Sequence, residues 1–332
     1  MDILTLIREK NSFLLSGHEH PDGDCLGAQV ALHHLLQALG KQSTILNPDP
    51  LTRQHEFLTR HTPFHAYRNG QALLAFDVLV LLDCCQLSRL SELGKALATV
   101  KPLIAVIDHH VGSDQGDGVV CYVDPLAPSS GALVHELYGK LGVPLSPAAA
   151  EGVFLSLVAD TGWFRYSNTD PRVLRVAAEL VESGVDPSGL YDQLFRRNHQ
   201  DTVALLSATL AKHEFRLAGK LVCATIDKAT MDHSARAGFD TDLVLEPLRS
   251  VEGVEVVALA KERHDGAFKV SMRASGDVDV QAIAKRLGGG GHKKAAGATV
   301  HKSAEQIFAF IESQVRDALG AILPPPGGGR GR

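Results

Sequence analysis

The chain has 332 residues, 45% of them hydrophobic, and a formal charge of −5, which predicts two domains, each with its own core. No run of about 18 apolar residues occurs, so a membrane-spanning helix is not expected. The negative charge disfavours a protein that coats long nucleic acid, although bound cations could still attract short anionic substrates. Five cysteines, an odd number, and the lack of an apolar leader after Met1 favour a reducing cytoplasm.

Strand-like and helix-like segments alternate through the first half of the chain. Short apolar segments predict strands at residues 13–16, 43–46, 78–82 and 103–107. Longer segments predict helices at residues 26–39, 130–141, 148–158 and 171–182. Because strands that alternate with helices are typical of α/β folds, we expect residues 1–185 to form a catalytic domain with a doubly wound, mainly parallel sheet.

The second half predicts a smaller α+β domain at residues 213–323, across a cleft from the first and joined to it by a linker at residues 186–212. Strands are expected at residues 213–217, 221–226, 254–261, 268–273 and 298–300. Helices are expected at residues 202–212, within the linker, and at 243–249, 280–287 and 304–319. Residues 324–332 contain only Pro, Gly and Arg, which predicts a disordered tail.

Acidic residues and histidines follow the apolar segments of the first half. They form four groups, which are His18 with Asp22 and Asp24, Asp83, Asp108 with His109 and His110, and Asp160. Ligands of open α/β sheets bind beyond the carboxyl ends of the strands, so the groups that follow strands should converge on one edge. Asp160 instead ends a helix, where a negative charge interacts unfavourably with the helix dipole. Metal binding therefore explains an acid at this position better than a contribution to helix stability does.

Each group also has a structural interpretation. Asp22 or Asp24 could cap the helix that follows, and Asp83 could simply be a turn residue. Cys84 and Cys85 could be thiolate ligands, but oxygen and nitrogen neighbours favour hard metals, so we interpret both as small packed residues. In Asp108-His109-His110, one imidazole could bind metal, the other substrate, and the carboxylate could orient a ring.

Four carboxylates and two imidazoles at one edge would suit two ions such as Mn²⁺. Two such cations can activate a water molecule and neutralise the charge of a phosphoryl group under attack. The sequence therefore predicts a two-metal phosphoesterase.

A second candidate site lies near the C-terminus. The glycine run at residues 288–291 allows backbone N–H groups to approach an anion, and His292, Lys293 and Lys294 add donors. Arg273, followed by Ser275, and Arg165 in the first half could also clamp phosphate. The alternatives are a flexible hinge at the glycines and solvated arginines.

These motifs, in this order, resemble those of the DHH phosphoesterase superfamily. His18-x-x-x-Asp22-x-Asp24 resembles its first motif, Asp83 its second, Asp108-His109-His110 its third and Asp160 its fourth. Gly289-Gly290-Gly291-His292 is similar to the signature of the DHH-associated C-terminal domain. The resemblance implies that two manganese ions are bound by six residues, namely His18, Asp22, Asp24, Asp83, His109 and Asp160. It also implies that Asp83 bridges the ions and that His110 contacts the scissile phosphate.

Residues 160–169 and the turn Arg273-Ala274-Ser275 are similar to the oligoribonuclease branch of this superfamily, whose members also dephosphorylate 3′-phosphoadenosine 5′-phosphate. The sequence departs from the pattern of this family at Ala28, where many relatives carry Ser. This resemblance implies hydrolysis of short RNA to mononucleotides in the cytoplasm. A cleft between two domains, closed at its far end by the glycine run, has room for only a few nucleotides, which predicts RNA substrates of roughly two to five nucleotides. Short RNA and nucleotide bisphosphates are then the expected partners, without long nucleic acid or membrane, and a homodimer is left open.

Two alternatives remain at this point. One is a phosphodiesterase that acts mainly on linear or cyclic dinucleotides, and the other is a non-catalytic nucleotide-binding sensor. The complete set of six metal ligands disfavours the sensor, because a sensor has no need of a second metal. The sequence does not fix which end of an RNA is attacked.

Overall fold

The computed structural model describes residues 1–110, 112, 118–197, 201–230 and 242–322. The chain divides into two compact units, Met1–Arg197 and Asn198–Arg332. This division falls inside the segment predicted as a linker, and that segment contains two helices. The predicted disordered tail, residues 324–332, lies outside the described residues.

The first unit contains one sheet of six strands. They are β1 (Ser12–Ser16), β2 (Gln42–Asn47), β3 (Phe64–Ala66), β4 (Val78–Leu82), β5 (Leu103–Asp108) and β6 (Val119–Val123). All neighbours are parallel, in the order β3-β2-β1-β4-β5-β6. The strand order therefore reverses between β1 and β4, and a reversal of this kind opens a crevice at the carboxyl ends of the strands.

Helices cover both faces of this sheet. They are α1 (Ile3–Glu9), α2 (Gly23–Ala38), α3 (Ser91–Val100), α4 (Ser130–Leu141), α5 (Pro147–Asp160), α6 (Pro171–Glu182) and α7 (Pro187–Phe195). Successive side chains of a strand point to opposite faces of the sheet, so those of the central strands pack in two different hydrophobic cores. Leu15 and Val80 pack with α2 and α5, whereas Leu14 and Leu79 pack with α3. The predicted doubly wound, mainly parallel α/β fold is confirmed.

Helices α2 and α5 run antiparallel in close contact, because glycine lies at the contact on both helices. A Cβ atom on Gly27 would collide with the carbonyl oxygen of Gly152, and one on Gly152 would lie 2.8 Å from the carbonyl oxygen of Gly27. Gly23, at the start of α2, lies against Ala159 near the end of α5. The close backbone approach that glycine permits thus brings the first turn of α2 to the last turn of α5.

Several elements differ from the sequence expectation. Helix α2 begins at Gly23 rather than at residue 26, because Asp22 Oδ1 accepts hydrogen bonds from the backbone N–H groups of Asp24 (3.0 Å) and Cys25 (3.1 Å). Two helices, α1 and α3, and two strands near the sheet edges, β3 and β6, were not predicted. They are short, with three to ten residues each.

The second unit contains a mixed sheet of six strands. They are β7 (Glu214–Arg216), β8 (Leu221–Ile226), β9 (Val256–Glu262), β10 (Phe268–Ala274), β11 (Gly290–His292) and β12 (Ala295–Val300). The order is β11-β12-β10-β9-β8-β7, with only the β8–β9 pair parallel. The described helices are α8 (Asp201–Leu210), α9 (Asp242–Arg249), α10 (Val280–Arg286) and α11 (Ala304–Ile322).

The glycine run is only partly a loop, which corrects the sequence expectation. Gly288 follows α10 with a φ of +79°, in the left-handed region that glycine tolerates. Gly290–His292 then forms the edge strand β11, which pairs with β12. Two of its three residues are glycine, so the strand carries no apolar alternation that would predict it.

None of the described helices combines the length and the hydrophobicity that crossing a membrane requires.

Candidate metal centre

The polar groups lie where the sequence places them, just beyond the ends of β1, β4 and β5. Asp83 follows β4 with a φ of +59°, a left-handed conformation, and its N–H donates to the carbonyl oxygen of Ile107 on β5 (3.1 Å). Asp108 is the last residue of β5, and its carboxylate is buried. The start of α2 and the end of α5 add Asp24 and Asp160 to the same region.

The first group of potential ligands consists of His18, Asp22 and Asp83. His18 donates from Nδ1 to the carbonyl oxygen of Glu19 (2.8 Å), which leaves Nε2 as the lone-pair nitrogen of the neutral ring. That nitrogen lies 3.3 Å from Asp83 Oδ2 and 3.9 Å from Asp22 Oδ1. The Asp22 side chain is 57% exposed and forms the open side of this group.

The second group consists of Asp24, His109 and Asp160. His109 donates from Nδ1 to the carbonyl oxygen of Ala127 (3.2 Å), so its Nε2 also carries the lone pair. Nε2 lies 3.0 Å from Asp160 Oδ2 and 3.4 Å from Asp24 Oδ2. It is buried, yet it forms no hydrogen bond with good geometry to any of the described residues. A cation between this nitrogen and the two carboxylates would satisfy all three, and so the residues present fit a metal ion.

Asp83 lies between the two groups. Its Oδ2 faces His18, whereas its Oδ1 lies 3.6 Å from His109 Nε2 and 3.6 Å from His110 Nδ1. Asp83, His109 and His110 also form a third group within metal-binding distance of one another. One carboxylate therefore presents a separate oxygen to each side of the centre, as a bridging ligand can.

His110 differs from the other two histidines in its hydrogen bonding. Its Nδ1 donates to Asp108 Oδ1 (2.7 Å), and its backbone N–H donates to the same oxygen (3.1 Å). This carboxylate raises the pKa of His110. The pair therefore resembles a carboxylate-oriented imidazole, in which any contact with substrate falls to Nε2.

The crowded carboxylates control the charge of the centre when no cation is bound. Burial lowers the pKa of His109, but the Asp160, Asp83 and Asp24 carboxylates overcome this effect and bring it to about 11. Burial likewise lowers the pKa of His18, but the Asp83 and Asp22 carboxylates outweigh this effect and bring it to about 9. Burial and the neighbouring carboxylates of Asp83 and Asp160 hold the pKa of Asp24 well above its usual value.

The pKa of Asp83 moves the other way. Burial raises it, but the flanking imidazoles of His109 and His18 lower it below the usual range. Protons thus supply the positive charge that this set of acids needs, and bound cations could supply it instead.

Cys84 and Cys85 take no part in the three ligand groups found among the described residues. Cys84 is buried and Cys85 is partly buried, and both contribute to the core on the α3 side of the sheet. Their interpretation as packed residues agrees with this location.

Sequence reasoning missed the residues that hold Asp24. The backbone N–H groups of Ser130 and Gly131 and the hydroxyl of Ser156 all donate to its carboxylate. The signal that could have found part of this set is Ser129, a helix N-cap whose hydroxyl accepts from Ala132 N–H. Nothing local to Ser156 marks it, because its partner lies 132 residues away in the sequence.

Two protein-family models match the chain. The DHH family, N-terminal domain, matches residues 12–157, and the DHHA1 domain matches residues 220–319. The bifunctional oligoribonuclease and PAP phosphatase NrnA of Thermus thermophilus is 34% identical over 306 residues, covering 92% of this chain and 89% of that protein. The chain belongs to the DHH family.

Two further comparisons place this DHH phosphoesterase among its relatives. The cyclic-di-AMP phosphodiesterase GdpP of Geobacillus thermodenitrificans is 28% identical over 332 residues, which cover 95% of this chain but 48% of that protein. A solved structure of an exopolyphosphatase-related protein from Bacteroides fragilis shares the fold, with a TM-score of 0.85 and 20% identity over 94% of each chain.

The candidate substrate residue of the first unit lies on the turn after the second ligand group. In this DHH phosphoesterase, Arg165 is exposed, donates from Nε to the carbonyl oxygen of Gly162 (2.7 Å), and lies 6.0 Å from the ring of Tyr166. Asn168, on the same turn, donates to the carbonyl oxygen of Asp160 (3.1 Å). The turn is thus fastened to a potential metal ligand.

The candidates of the second unit share one end of its sheet. Arg273 on β10 and His292 on β11 both pair with Ala295 on β12, so the two side chains point to the same face. Ser275 follows β10, and Lys293 follows β11; both are exposed. The two basic residues Arg273 and His292 therefore lie on the same face of the sheet, on two strands that β12 separates.

The glycines of this segment have different requirements. A Cβ on Gly289 or Gly291 would collide with the backbone of β12, so packing alone explains both. A Cβ on Gly290 would meet nothing within 4 Å, and this residue is exposed. Of the three, only Gly290 lacks a structural reason among the described residues to be glycine, and the approach of a ligand to its backbone would provide one.

Proposed function

We propose that this chain is a manganese-dependent phosphoesterase that uses two cations to hydrolyse short oligoribonucleotides, roughly two to five nucleotides long, to mononucleotides. We include 3′-phosphatase activity on 3′-phosphoadenosine 5′-phosphate. The observation that carries the proposal is the position of Asp83, whose two oxygens face two separate groups of ligands.

In this proposal, His18, Asp22 and Asp83 hold one cation, and Asp24, His109, Asp160 and Asp83 hold the other. Bound cations supply a nucleophilic water molecule at neutral pH and neutralise charge on the phosphoryl oxygens. Both ligand histidines are already fixed by Nδ1–H bonds to backbone carbonyls, so their Nε2 atoms need no reorganisation. His110, oriented by Asp108, stabilises the scissile phosphate.

The substrate class comes from the relatives. The similarity to the Thermus thermophilus relative, an oligoribonuclease and PAP phosphatase that aligns over 89% of its length, favours short RNA and nucleotide bisphosphates as partners. Arg165, Arg273, Ser275, Gly289, Gly290, Gly291, His292 and Lys293 are proposed to bind substrate. Cytoplasmic location and homodimer formation stay predictions.

A digestion assay tests the proposal. Equal concentrations of RNA dinucleotides, pentanucleotides and a long oligomer are incubated with the protein and manganese, in parallel with 3′-phosphoadenosine 5′-phosphate and pyrophosphate. We expect the short RNAs to decay fastest and the bisphosphate to release phosphate more slowly. Preferential cleavage of pyrophosphate, or faster decay of the long oligomer than of the dinucleotide, would overturn the proposal.

The second candidate is a phosphodiesterase acting mainly on dinucleotides, which the similarity to the cyclic-di-AMP phosphodiesterase GdpP favours. Linear and cyclic diadenylate added to the same assay separate the two candidates. Cleavage of cyclic diadenylate at the rate of the RNA dinucleotide or faster, with slow decay of the pentanucleotide, would favour this second candidate.

A further inference from the structure

Asp24 is the most completely enclosed carboxylate of the centre. Its side chain is fully buried, and three donors reach it from α4 and α5, more than one hundred residues away in the sequence. Ser130 N–H donates to Oδ2 (2.8 Å), Gly131 N–H donates to Oδ1 (3.1 Å), and the Ser156 hydroxyl donates to Oδ1 (2.5 Å). Two of these donors are the first N–H groups of α4, the positive end of its dipole.

The two oxygens of Asp24 are therefore not equivalent. Each carboxylate oxygen has about two acceptor positions. Oδ1 uses both, one for the Gly131 N–H and one for the Ser156 hydroxyl. Oδ2 uses one for the Ser130 N–H and lies 3.4 Å from His109 Nε2, so its second acceptor position is directed to the ligand group.

Ser130 contacts two carboxylates of the centre. Its backbone N–H donates to Asp24, while its hydroxyl donates to Asp83 Oδ1 (3.3 Å). A Ser130→Ala variant loses the hydroxyl bond to Asp83. A Ser156→Ala variant loses the hydroxyl bond to Asp24, together with the contacts of the same hydroxyl with Ser129 Oγ (2.7 Å) and with the start of α4. Ser156 also accepts from Gly131 N–H (2.9 Å), which ties it to the start of α4.

We propose that the start of α4 and the Ser156 hydroxyl position Asp24 so that it binds its cation through Oδ2 alone, while the Ser130 hydroxyl positions the bridging Asp83. This inference rests on the proposed two-cation function. Ser130 and Ser156 are positioning residues, since neither belongs to a ligand group. Loss of Ser156 then affects one cation, and loss of Ser130 affects both.

Calorimetric titration of the full chain with Mn²⁺, after removal of bound metal, tests this assignment without any turnover. Thr209→Val is the matched control, because Thr209 is a buried hydroxyl of the second unit that donates only to the Leu205 carbonyl oxygen (2.8 Å). Loss of a residue that orients a metal ligand weakens affinity by about 10–100-fold. We expect that loss in one of two binding events for Ser156→Ala and in both events for Ser130→Ala, with Thr209→Val unchanged.

The outcomes separate this inference from the proposed function. A wild-type protein that binds fewer than two Mn²⁺ ions contradicts the proposed function. A wild-type protein that binds two ions, together with a Ser156→Ala variant that keeps both affinities, contradicts the inference alone. Equal weakening of both events in Ser156→Ala also contradicts it. Electron paramagnetic resonance gives a second readout, because Ser156→Ala at low Mn²⁺ should show isolated rather than coupled ions.

Discussion

At the scale of single residues, the three histidines of the centre differ in the hydrogen-bond partner of Nδ1. His18 and His109 donate from Nδ1 to backbone carbonyls and turn Nε2 toward carboxylates, which is the arrangement of a metal ligand. His110 instead donates from Nδ1 to Asp108, so a negative charge supports its protonated form. This difference is consistent with the proposed role of His110, which is contact with the substrate rather than with a cation.

Asp108→Asn tests this division. The change removes the charge that raises the pKa of His110, so the limb of the kcat–pH profile that reports His110 should move to lower pH. We expect kcat to fall about tenfold or more, while Mn²⁺ affinity stays unchanged because the Asp108 carboxylate bonds to His110, which is not one of the six proposed ligands. An unchanged pH profile, measured with saturating manganese, would show that Asp108 has only a structural role.

The six candidate ligands could be predicted from the sequence because most of them follow strands whose carboxyl ends meet at one edge of a parallel sheet. Ser130 and Ser156 could not be predicted in this way. They reach Asp24 through helix packing over 106 and 132 residues of sequence, and no local pattern records such a contact.

At the scale of elements, the contact between α2 and α5 sets the distance between Asp24 and Asp160. The glycines at this contact are packed against backbone, which cannot move aside as a flexible side chain can. The sequence predicted both helices but gave no sign that they touch. The sequence also predicted the start of α2 three residues too late, because Asp22 is both the N-cap of this helix and a candidate metal ligand.

Gly27→Ala should therefore destabilise the protein. The new methyl group would collide with the Gly152 carbonyl oxygen, and overpacking of this kind costs about 1–3 kcal/mol of unfolding free energy. Gly139→Ala on α4 is the matched control, because a Cβ there meets nothing within 4 Å, and alanine should stabilise that helix by up to about 1 kcal/mol. Denaturant titration measures both. Equal stability of the two variants would mean that the α2–α5 contact can relax.

At the scale of the whole molecule, the candidate site residues of the two units differ in charge. The first unit holds the acidic ligand groups, and the second holds a pair of basic residues on one face of its sheet. The alternation of elements was sufficient to predict a mainly parallel sheet in the first half of the chain and a separate sheet in the second half. The edge strand β11 was not predicted, because its register depends on hydrogen bonds to β12 rather than on side chains.

His292→Ala and Arg273→Ala test this division of labour. We expect each to raise KM for an RNA dinucleotide with little change in the turnover of bis-p-nitrophenyl phosphate, a minimal phosphodiester that lacks the remote groups. Lys269→Ala, an exposed residue on the same strand as Arg273, serves as the control and should change neither. If both substrates lost kcat equally, the basic pair would belong to the catalytic centre itself.

Replacement of Asp83 by alanine tests the central claim most directly, because the two oxygens of this carboxylate face the two ligand groups. The measurement is manganese-dependent turnover of an RNA dinucleotide, with circular dichroism to verify the fold. Asp77→Ala is the control, since Asp77 precedes the same strand at its opposite end. We predict nearly complete loss of turnover in Asp83→Ala and retention of activity in Asp77→Ala. An Asp83→Ala protein that keeps about a tenth of wild-type kcat, a loss of only about 1.4 kcal/mol, would contradict the bridging role.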